Sequence, residues 1–236
     1  CNRTMEKAEK LAHALGAKTA AAEDIAARCD YVFLGVKPAQ IPALLASLRP
    51  VLEGRETPAV VVSMAAGVTL KALQDNAFET CPVIRIMPNT ACAVGAGLTL
   101  YDCGKAVTDA QLQGFLDGMA ASGRLERLPE NLIDAGSAVA GCGGAFACLF
   151  MEALADGAVS CGLPRDKANV YAAQMLLGAA QLALESGQPF GAMKDAVCSP
   201  GGTTIAGVRA LEEGGLRAAA MNAVIAAYEK TLALKQ

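Results

Sequence analysis

The sequence contains no tryptophan, a single histidine and few aromatic side chains, which make up 4% of its 236 residues. A histidine-based proton relay and the usual mixed histidine and cysteine zinc site both need imidazole groups. The single histidine, His13, falls within a helical pattern that predicts a solvent-exposed face. Any chemistry must therefore use other groups, and we predict no metal site.

The sequence also lacks the charge and cysteine patterns that mark several protein classes. Its net charge is −3 and it contains no run of five or more like charges, which argues against a nucleic-acid surface or a polybasic membrane patch. Its nine cysteines include no C-x-x-C pair, so a disulfide framework is not expected. No basic segment followed by an apolar core opens the sequence, which favours a cytoplasmic location. The expected partners are small molecules and a second copy of the chain.

Hydrophobic residues make up 53% of the sequence, and many of them are alanine, a composition that favours close-packed helices. Two stretches without charged residues, 135–151 and 168–184, are at the lower limit of the ~17–25 residues that a membrane span needs. The first contains several glycines and the second contains three amide side chains. We therefore predict that both stretches are helices buried inside the protein.

The first half of the sequence predicts a parallel sheet. Three short apolar runs, at 31–36, 59–63 and 83–87, are rich in β-branched residues and lack strict alternation, as strands buried on both faces do. Helical stretches at 39–48 and 69–76 separate them, which indicates right-handed crossovers in a doubly wound α/β sheet. Two further strands at 96–102 and 124–129, with a helix near 108–122 between them, complete the prediction.

The pattern changes after Pro129, where no further β-branched run follows. Alanine-rich and leucine-rich helical patterns occupy 130–161, 166–187, 189–197, 204–213 and 216–234. We therefore predict two domains, an α/β domain at 1–128 and an all-helical domain at 129–236.

The sequence begins "CNRT" and passes at once into a helical pattern at 4–15, with Thr4 as candidate N-cap and Gly16 as the stop. In dinucleotide-binding folds the end of the second strand lies beside the ribose of the cofactor, where an arginine suits a 2′-phosphate. Asn2, Arg3 and Thr4 would then favour NADP(H) over NAD(H), although an exposed arginine at a helix start is also commonplace. On this interpretation the first strand and the glycine-rich phosphate loop are missing before Cys1.

The stretch "SPGGTTIAGVRALEEGG", at 199–215, places a proline, two glycines and two threonines before an amphipathic helix that ends at Gly214 and Gly215. Thr203 and Thr204 are both candidate N-caps. The unpaired N–H groups at the start of a helix, together with its dipole, bind anions such as a substrate carboxylate. An ordinary capped turn is the alternative interpretation.

Five motifs together resemble the pyrroline-5-carboxylate reductases: "GVKP" at 35–38, "SMAAG" at 63–67, "RIMPNT" at 85–90, "GLPRDKA" at 162–168 and "KDAVCSPGGTTIAGVRALEEGG" at 194–215. The resemblance extends over essentially the whole chain. It implies a Rossmann domain that binds NADPH and a helical domain that forms a homodimer, often within a larger ring of dimers. The implied reaction is the last step of proline synthesis, in which hydride from NAD(P)H reduces the cyclic imine pyrroline-5-carboxylate to L-proline.

The resemblance also implies roles for individual residues. Those that would line the cofactor site, besides the three at the start of the chain, are Val36, Lys37, Pro38, Met64, Ala65, Ala66 and Asn89. Those that would contact the substrate are Glu130, Ser199, Gly201, Gly202, Thr203 and Thr204. The amides of Gly201, Gly202 and Thr203 would hold the substrate carboxylate, and the Thr204 hydroxyl would bind the ring nitrogen as the catalytic contact.

The sequence departs from the family pattern at Cys142 and Gly144, where Ser and Pro are more common, and at Ala22 and Ala196, where some members have Asn. Two other interpretations remain open. One is another two-domain Rossmann dehydrogenase, although such enzymes usually use a catalytic Lys or His on the helical domain, and His13 lies in the first domain. The other is a truncated, non-catalytic helical dimerisation module.

Overall fold

The computed structural model describes residues 1–233, which form two compact units. The first contains Cys1–Gly141 and the end of the last helix, and the second is Cys142–Ala227. We predicted a domain boundary at residue 128. The unit that contains the sheet extends further along the sequence, to Gly141.

The first unit contains a sheet of five strands in the order β1-β2-β3-β4-β5. The strands are β1 (Tyr31–Leu34), β2 (Val60–Ser63), β3 (Val83–Met87), β4 (Gly97–Cys103) and β5 (Gly123–Arg127). Strands β3 and β4 pair in the antiparallel direction. The other three neighbouring pairs are parallel, as predicted. The short connection 88–96 holds only a 3-10 turn, too little chain for a parallel crossover.

Six helices accompany the sheet: α1 (Met5–Leu15), α2 (Ala22–Arg28), α3 (Ile41–Glu53), α4 (Leu70–Asn76), α5 (Asp109–Met119) and α6 (Glu130–Ala140). The limits predicted for α1 are confirmed, since Thr4 precedes it and Gly16 ends it in the left-handed conformation. Helix α2 was not predicted, because its two turns are too short to show a helical period.

Both faces of the sheet are covered, which explains why the strand sequences lack alternation. On one face Val32, Val61 and Val83 pack with residues of α3 and α4 in one buried cluster. On the other face Val62 and Ile84 belong to a cluster that includes Phe115 of α5. The doubly covered α/β sheet predicted from the sequence is therefore present.

The second unit is helical, as predicted, and consists of α7 (Gly143–Ser160), α8 (Arg165–Ser186), α9 (Phe190–Val197), α10 (Thr203–Glu213) and most of α11 (Leu216–Ala233). Its buried cluster is small and made of Ala155, Ala168 and Ala172. Many large apolar side chains are exposed instead, among them Leu149, Val170, Tyr171, Leu177, Leu184 and Phe190.

The stretches 135–151 and 168–184, predicted to be buried inside the protein, are not buried by this chain alone. The helical segment Glu130–Ser160 is long and apolar enough to cross a membrane by length and composition, with a mean hydropathy of 1.7, and only 11% of its most apolar window is buried. A helix that packs against another protein chain has the same properties. The second unit thus has more apolar surface than one chain covers.

We expect the thiol of Cys81 to be inert in the folded protein. Cys81 is fully buried beside α4, and burial raises its pKa to about 12. Since the thiolate is the reactive form, iodoacetamide at about pH 8 should label the exposed Cys29 and leave Cys81 unmodified. Peptide mass spectrometry before and after denaturation would measure this. Equal labelling of both residues in the native protein would contradict the expectation.

Candidate active site

A cavity of about 870 Å³ runs along β1, between this strand and helices α2 and α3, and reaches the carboxyl ends of β1 and β2. Ligands bind at this edge of open α/β sheets. Five of the ten residues predicted to bind a cofactor line the cavity, namely Asn2, Arg3, Val36, Lys37 and Met64. The other five, Thr4, Pro38, Ala65, Ala66 and Asn89, are not among its lining residues.

Two positive charges line this cavity without a carboxylate to neutralise them. Arg3 and Lys37 are on its lining, and neither forms an ion pair with any residue in the described range 1–233. The chain around Arg3 is held in shape by Asn2, whose Oδ1 accepts the N–H of Thr4 at 2.9 Å. Guanidinium and ammonium groups are suited to phosphate oxygens. The cavity therefore has the charge that a phosphorylated cofactor requires.

The turn at 64–67 joins β2 to α4 and contributes Met64 to the cavity. Its shape is fixed by the N–H of Ala65, which donates to Ser63 Oγ at 3.3 Å, and by the N–H of Val68, which donates to the Ala65 carbonyl at 3.3 Å. Gly67 has φ of +77°, a conformation that favours glycine. Ala65 is only 3% exposed and packs in the core, so its side chain does not face the cavity.

Asn89 uses both polar atoms of its side chain to fasten the end of β3. Its Nδ2 donates to the carbonyl of Ala140 at 3.0 Å, and its Oδ1 accepts the N–H of Leu98 at 3.2 Å. These contacts tie β3 to the end of α6 and to β4. The predicted position of Asn89 beside the nicotinamide stays a prediction.

Glu130, the first residue of α6, has one carboxylate oxygen in a network of charges. Its Oε1 accepts the N–H of Leu70 at 2.6 Å and lies 3.4 Å from Nη1 of Arg85. Arg85 is 1% exposed, and its Nη2 donates to Asp134 Oδ1 at 2.6 Å. Asp102 of β4 in turn accepts the N–H of Glu130 at 2.9 Å.

Arg85, Asp134 and Asp102 were not singled out from the sequence. A visible signal was the arginine in the middle of the apolar run "VIRIM", because a charge buried in a central strand needs partners. The spacing of Glu130 and Asp134, four residues apart on one helix, was a second signal.

The stretch 199–202 forms a tight turn, with the N–H of Gly202 donating to the Ser199 carbonyl at 3.0 Å. Gly201 has φ of +70° in the third position, the arrangement of a type II turn with Pro200 in the second. The amide of Gly202 therefore closes this turn, and its predicted contact with a carboxylate stays a prediction. An added Cβ on Gly202 would lie 2.6 Å from Ser199 Oγ, which can rotate away, and 3.1 Å from the Ser199 carbonyl oxygen, so the turn would have to shift slightly.

Helix α10 begins at Thr203 with Gly202 as its N-cap, one residue before the first of the two predicted caps. The turn causes this shift, because it ends at Gly202 and the helix follows directly at Thr203. Within the described range 1–233, the N–H groups of Gly201, Thr203 and Thr204 have no hydrogen-bond partner, and the Thr204 hydroxyl is exposed and also unbonded. The loop thus offers donors at a helix N-terminus, where the dipole favours an anion.

Comparisons with known proteins assign the family. The family model for pyrroline-5-carboxylate reductase dimerisation matches residues 130–234, and the model for the coenzyme F420-dependent NADP oxidoreductases matches residues 1–67. The chain is 40% identical over 215 residues to pyrroline-5-carboxylate reductase 3 of Macaca fascicularis, a match that covers 91% of this chain and 77% of that protein.

Solved structures agree with the sequence comparison. The pyrroline-5-carboxylate reductase of Coxiella burnetii matches with a TM-score of 0.89 and 32% identity, over 100% of this chain and 87% of that one. The pyrroline carboxylate reductase of Plasmodium falciparum, solved with NADP bound, matches with a TM-score of 0.85 and 30% identity, over 93% of this chain and 82% of that one. The predicted resemblance is confirmed, and the chain belongs to the pyrroline-5-carboxylate reductase family.

Proposed function

We propose that the protein reduces the C=N bond of 1-pyrroline-5-carboxylate to give L-proline, with NADPH as the hydride donor. The observation that carries this proposal is the 199–204 loop, which places unpaired backbone donors and a free hydroxyl at the start of α10 in a chain of this family. A cyclic imine that bears a carboxylate has one acid group and one ring nitrogen, and the loop has a contact for each.

NADP(H) fits the residues that line the cavity. Arg3 and Lys37 supply positive charge for phosphate groups, and Val36 and Met64 supply apolar surface. The proposed cofactor contacts also include Asn2, Thr4, Pro38, Ala65, Ala66 and Asn89. Because the side chain of Ala65 is buried in the core, only its backbone could contact the cofactor. NAD(H) is the alternative cofactor. When bound, the reduced nicotinamide supplies the hydride that the reaction needs.

The protein's own groups orient the substrate. The N–H groups of Gly201 and Thr203 hold the carboxylate, Gly202 keeps the turn tight against Ser199, and the Thr204 hydroxyl hydrogen-bonds the ring nitrogen. The second oxygen of Glu130, Oε2, has no hydrogen-bond partner in the described range and is available to the substrate. Because a protonated imine is already electrophilic, positioning supplies most of what catalysis requires.

The active form is proposed to be a homodimer that forms through the helical unit. These dimers are proposed to assemble further into a ring of dimers. The family model for dimerisation spans this unit, and its exposed apolar side chains provide the surface. We place the protein in the cytoplasm, where small-molecule biosynthesis takes place. Light scattering at several protein concentrations measures the assembly.

The test of the function is an assay in the direction of proline formation, with NADPH and NADH compared at equal concentrations. We expect oxidation of NADPH that depends on 1-pyrroline-5-carboxylate and produces proline in equal amount. A protein that binds NADPH, by fluorescence titration, but forms no proline would contradict the proposed reaction. A protein that binds no NADPH and still dimerises would instead be a dimerisation module.

We expect Arg3→Ala to change cofactor preference. If the guanidinium binds the 2′-phosphate, its loss should raise the KM for NADPH by about tenfold, the value of one charge-assisted hydrogen bond, and leave the KM for NADH nearly unchanged. Lys7→Ala is the matched control, because Lys7 is an exposed cation on the neighbouring α1 that does not line the cavity. An equal rise of both KM values for Arg3→Ala would remove Arg3 from phosphate recognition.

A further inference from the structure

A chain of carboxylates connects two helix N-termini on one face of the sheet. Asp102 of β4 accepts the N–H of Glu130, the first residue of α6, and Glu130 accepts the N–H of Leu70, the first residue of α4. Each carboxylate therefore pairs with a donor that a helix cannot satisfy internally, at the end where the dipole favours negative charge.

Arg85 fixes the second of these carboxylates. It lies in β3 opposite Asp102 of β4, and its guanidinium spans the two acids of α6, at 2.6 Å from Asp134 Oδ1 and 3.4 Å from Glu130 Oε1. The planar fork of arginine suits this double contact and holds Glu130 in one orientation. Asp134 is 2% exposed, so the pair it forms with Arg85 is shielded from water.

Helix α4 begins at Leu70, shortly after the turn at 64–67 that lines the cavity. Residues 64–69 connect β2 to α4, and Met64 faces the cavity. Ser63 fixes the first end of this connection through its bond to Ala65, and Glu130 fixes the second end at Leu70. A cofactor that binds against Met64 needs this turn in its folded shape.

We propose that Glu130, oriented by Arg85 and Asp134, is a positioning residue for cofactor binding, in addition to any contact of Oε2 with the substrate. Its Oε1 caps α4 and thereby keeps the 64–67 turn in the shape that binds NADPH. This inference rests on the proposed function. Apparent affinity falls in proportion to the fraction of molecules in the competent conformation, so a loosened turn weakens cofactor binding without changing the cofactor contacts.

The test measures the Kd for NADPH by fluorescence titration without substrate, so that substrate contacts do not contribute. Glu130→Ala removes the acceptor for the Leu70 N–H and should weaken NADPH binding by up to about fivefold, the equivalent of the stability that one helix cap contributes. Glu130→Gln keeps a carbonyl oxygen in place and should stay within about twofold of the wild type.

Thr69→Ala provides an independent way to loosen the same helix start. The Thr69 hydroxyl oxygen accepts the N–H of Ala72 at 3.1 Å and does not touch Glu130, yet its loss should also weaken NADPH binding. The matched control is Asp75→Asn, which removes an acid from an exposed ion pair with Lys71 on the same helix and should leave the Kd unchanged.

The outcomes separate the inference from the function. The inference alone would be overturned if the wild type is active but Glu130→Ala leaves the Kd for NADPH unchanged. The variant would then only lower the thermal stability or raise the KM for the imine. An equal loss for Glu130→Gln and Glu130→Ala would also overturn it, because the cap and not the charge is proposed to act. A wild type that binds no NADPH would overturn both.

Discussion

Thr204→Ala is expected to lower the kcat for 1-pyrroline-5-carboxylate reduction by about 100-fold or more, within the range for loss of a group that assists proton transfer. The Thr204 hydroxyl is exposed at the second residue of α10 and has no hydrogen-bond partner among residues 1–233, so it is free to contact a ligand. Hydride addition to the protonated imine gives a neutral amine, which takes up one more proton at the ring nitrogen to give the ammonium form of proline, and this hydroxyl is the proposed contact there. Steady-state kinetics at saturating NADPH measure the effect.

Two further substitutions distinguish the hydroxyl from the shape of the side chain. Thr204→Ser keeps the hydroxyl and should retain most of the activity, whereas the isosteric Thr204→Val should be as impaired as Thr204→Ala. The thermal midpoints of all three should differ little, because the residue is exposed and its backbone N–H is unchanged. Wild-type kinetics in Thr204→Val would remove the hydroxyl from the mechanism.

The sequence predicted the strands and most of the helices because their signals are local. The apolar run 83–87 coincides with β3, and the proline and glycines before α10 mark a turn that the structure contains. The antiparallel pairing of β3 and β4 was not predicted, since strand direction depends on the length of the connection and not on the composition of the strand.

The sequence predicted which types of residue form the candidate site. It predicted less well which hydrogen-bond partner each polar atom has. The turn at 199–202 was expected to offer three amides, but the Gly202 N–H closes the turn itself. Asn89 and Glu130 were expected beside ligands, and their side chains also join distant segments of the first unit. Such pairings link residues far apart in the chain, and local periodicity carries no information about them.

The charge network around Arg85 belongs to this unpredicted class. Arg85 and Asp134 are 49 positions apart in the sequence, yet their side chains form a contact of 2.6 Å in the core. The Nε of Arg85 has no hydrogen-bond partner within residues 1–233, so the guanidinium is held only through its two terminal nitrogens. The stability of the site therefore depends strongly on the ion pairs that Arg85 forms with Glu130 and Asp134.

Arg85→Ala is expected to destabilise the first unit by about 3–5 kcal/mol, the usual effect of breaking a buried ion pair by removing one partner. The substitution leaves Asp134, which is 2% exposed, without its guanidinium, and Glu130 loses one of the two contacts of its Oε1. Urea denaturation at fixed protein concentration measures the loss, because the stability of an oligomer depends on concentration.

The triple variant Arg85→Met, Glu130→Gln, Asp134→Leu separates the loss of a partner from the worth of the network. It removes all three charges, and the amide introduced at position 130 would keep an acceptor for the Leu70 N–H. Replacing a complete buried charge cluster by side chains of similar volume is often neutral for stability, so this variant should recover most of what Arg85→Ala loses. If the triple variant were as unstable as Arg85→Ala, the charge network itself, and not the removal of the guanidinium from beside the acids, would be the source of stability. Since that amide would still cap α4, we also expect NADPH binding to survive in the triple variant.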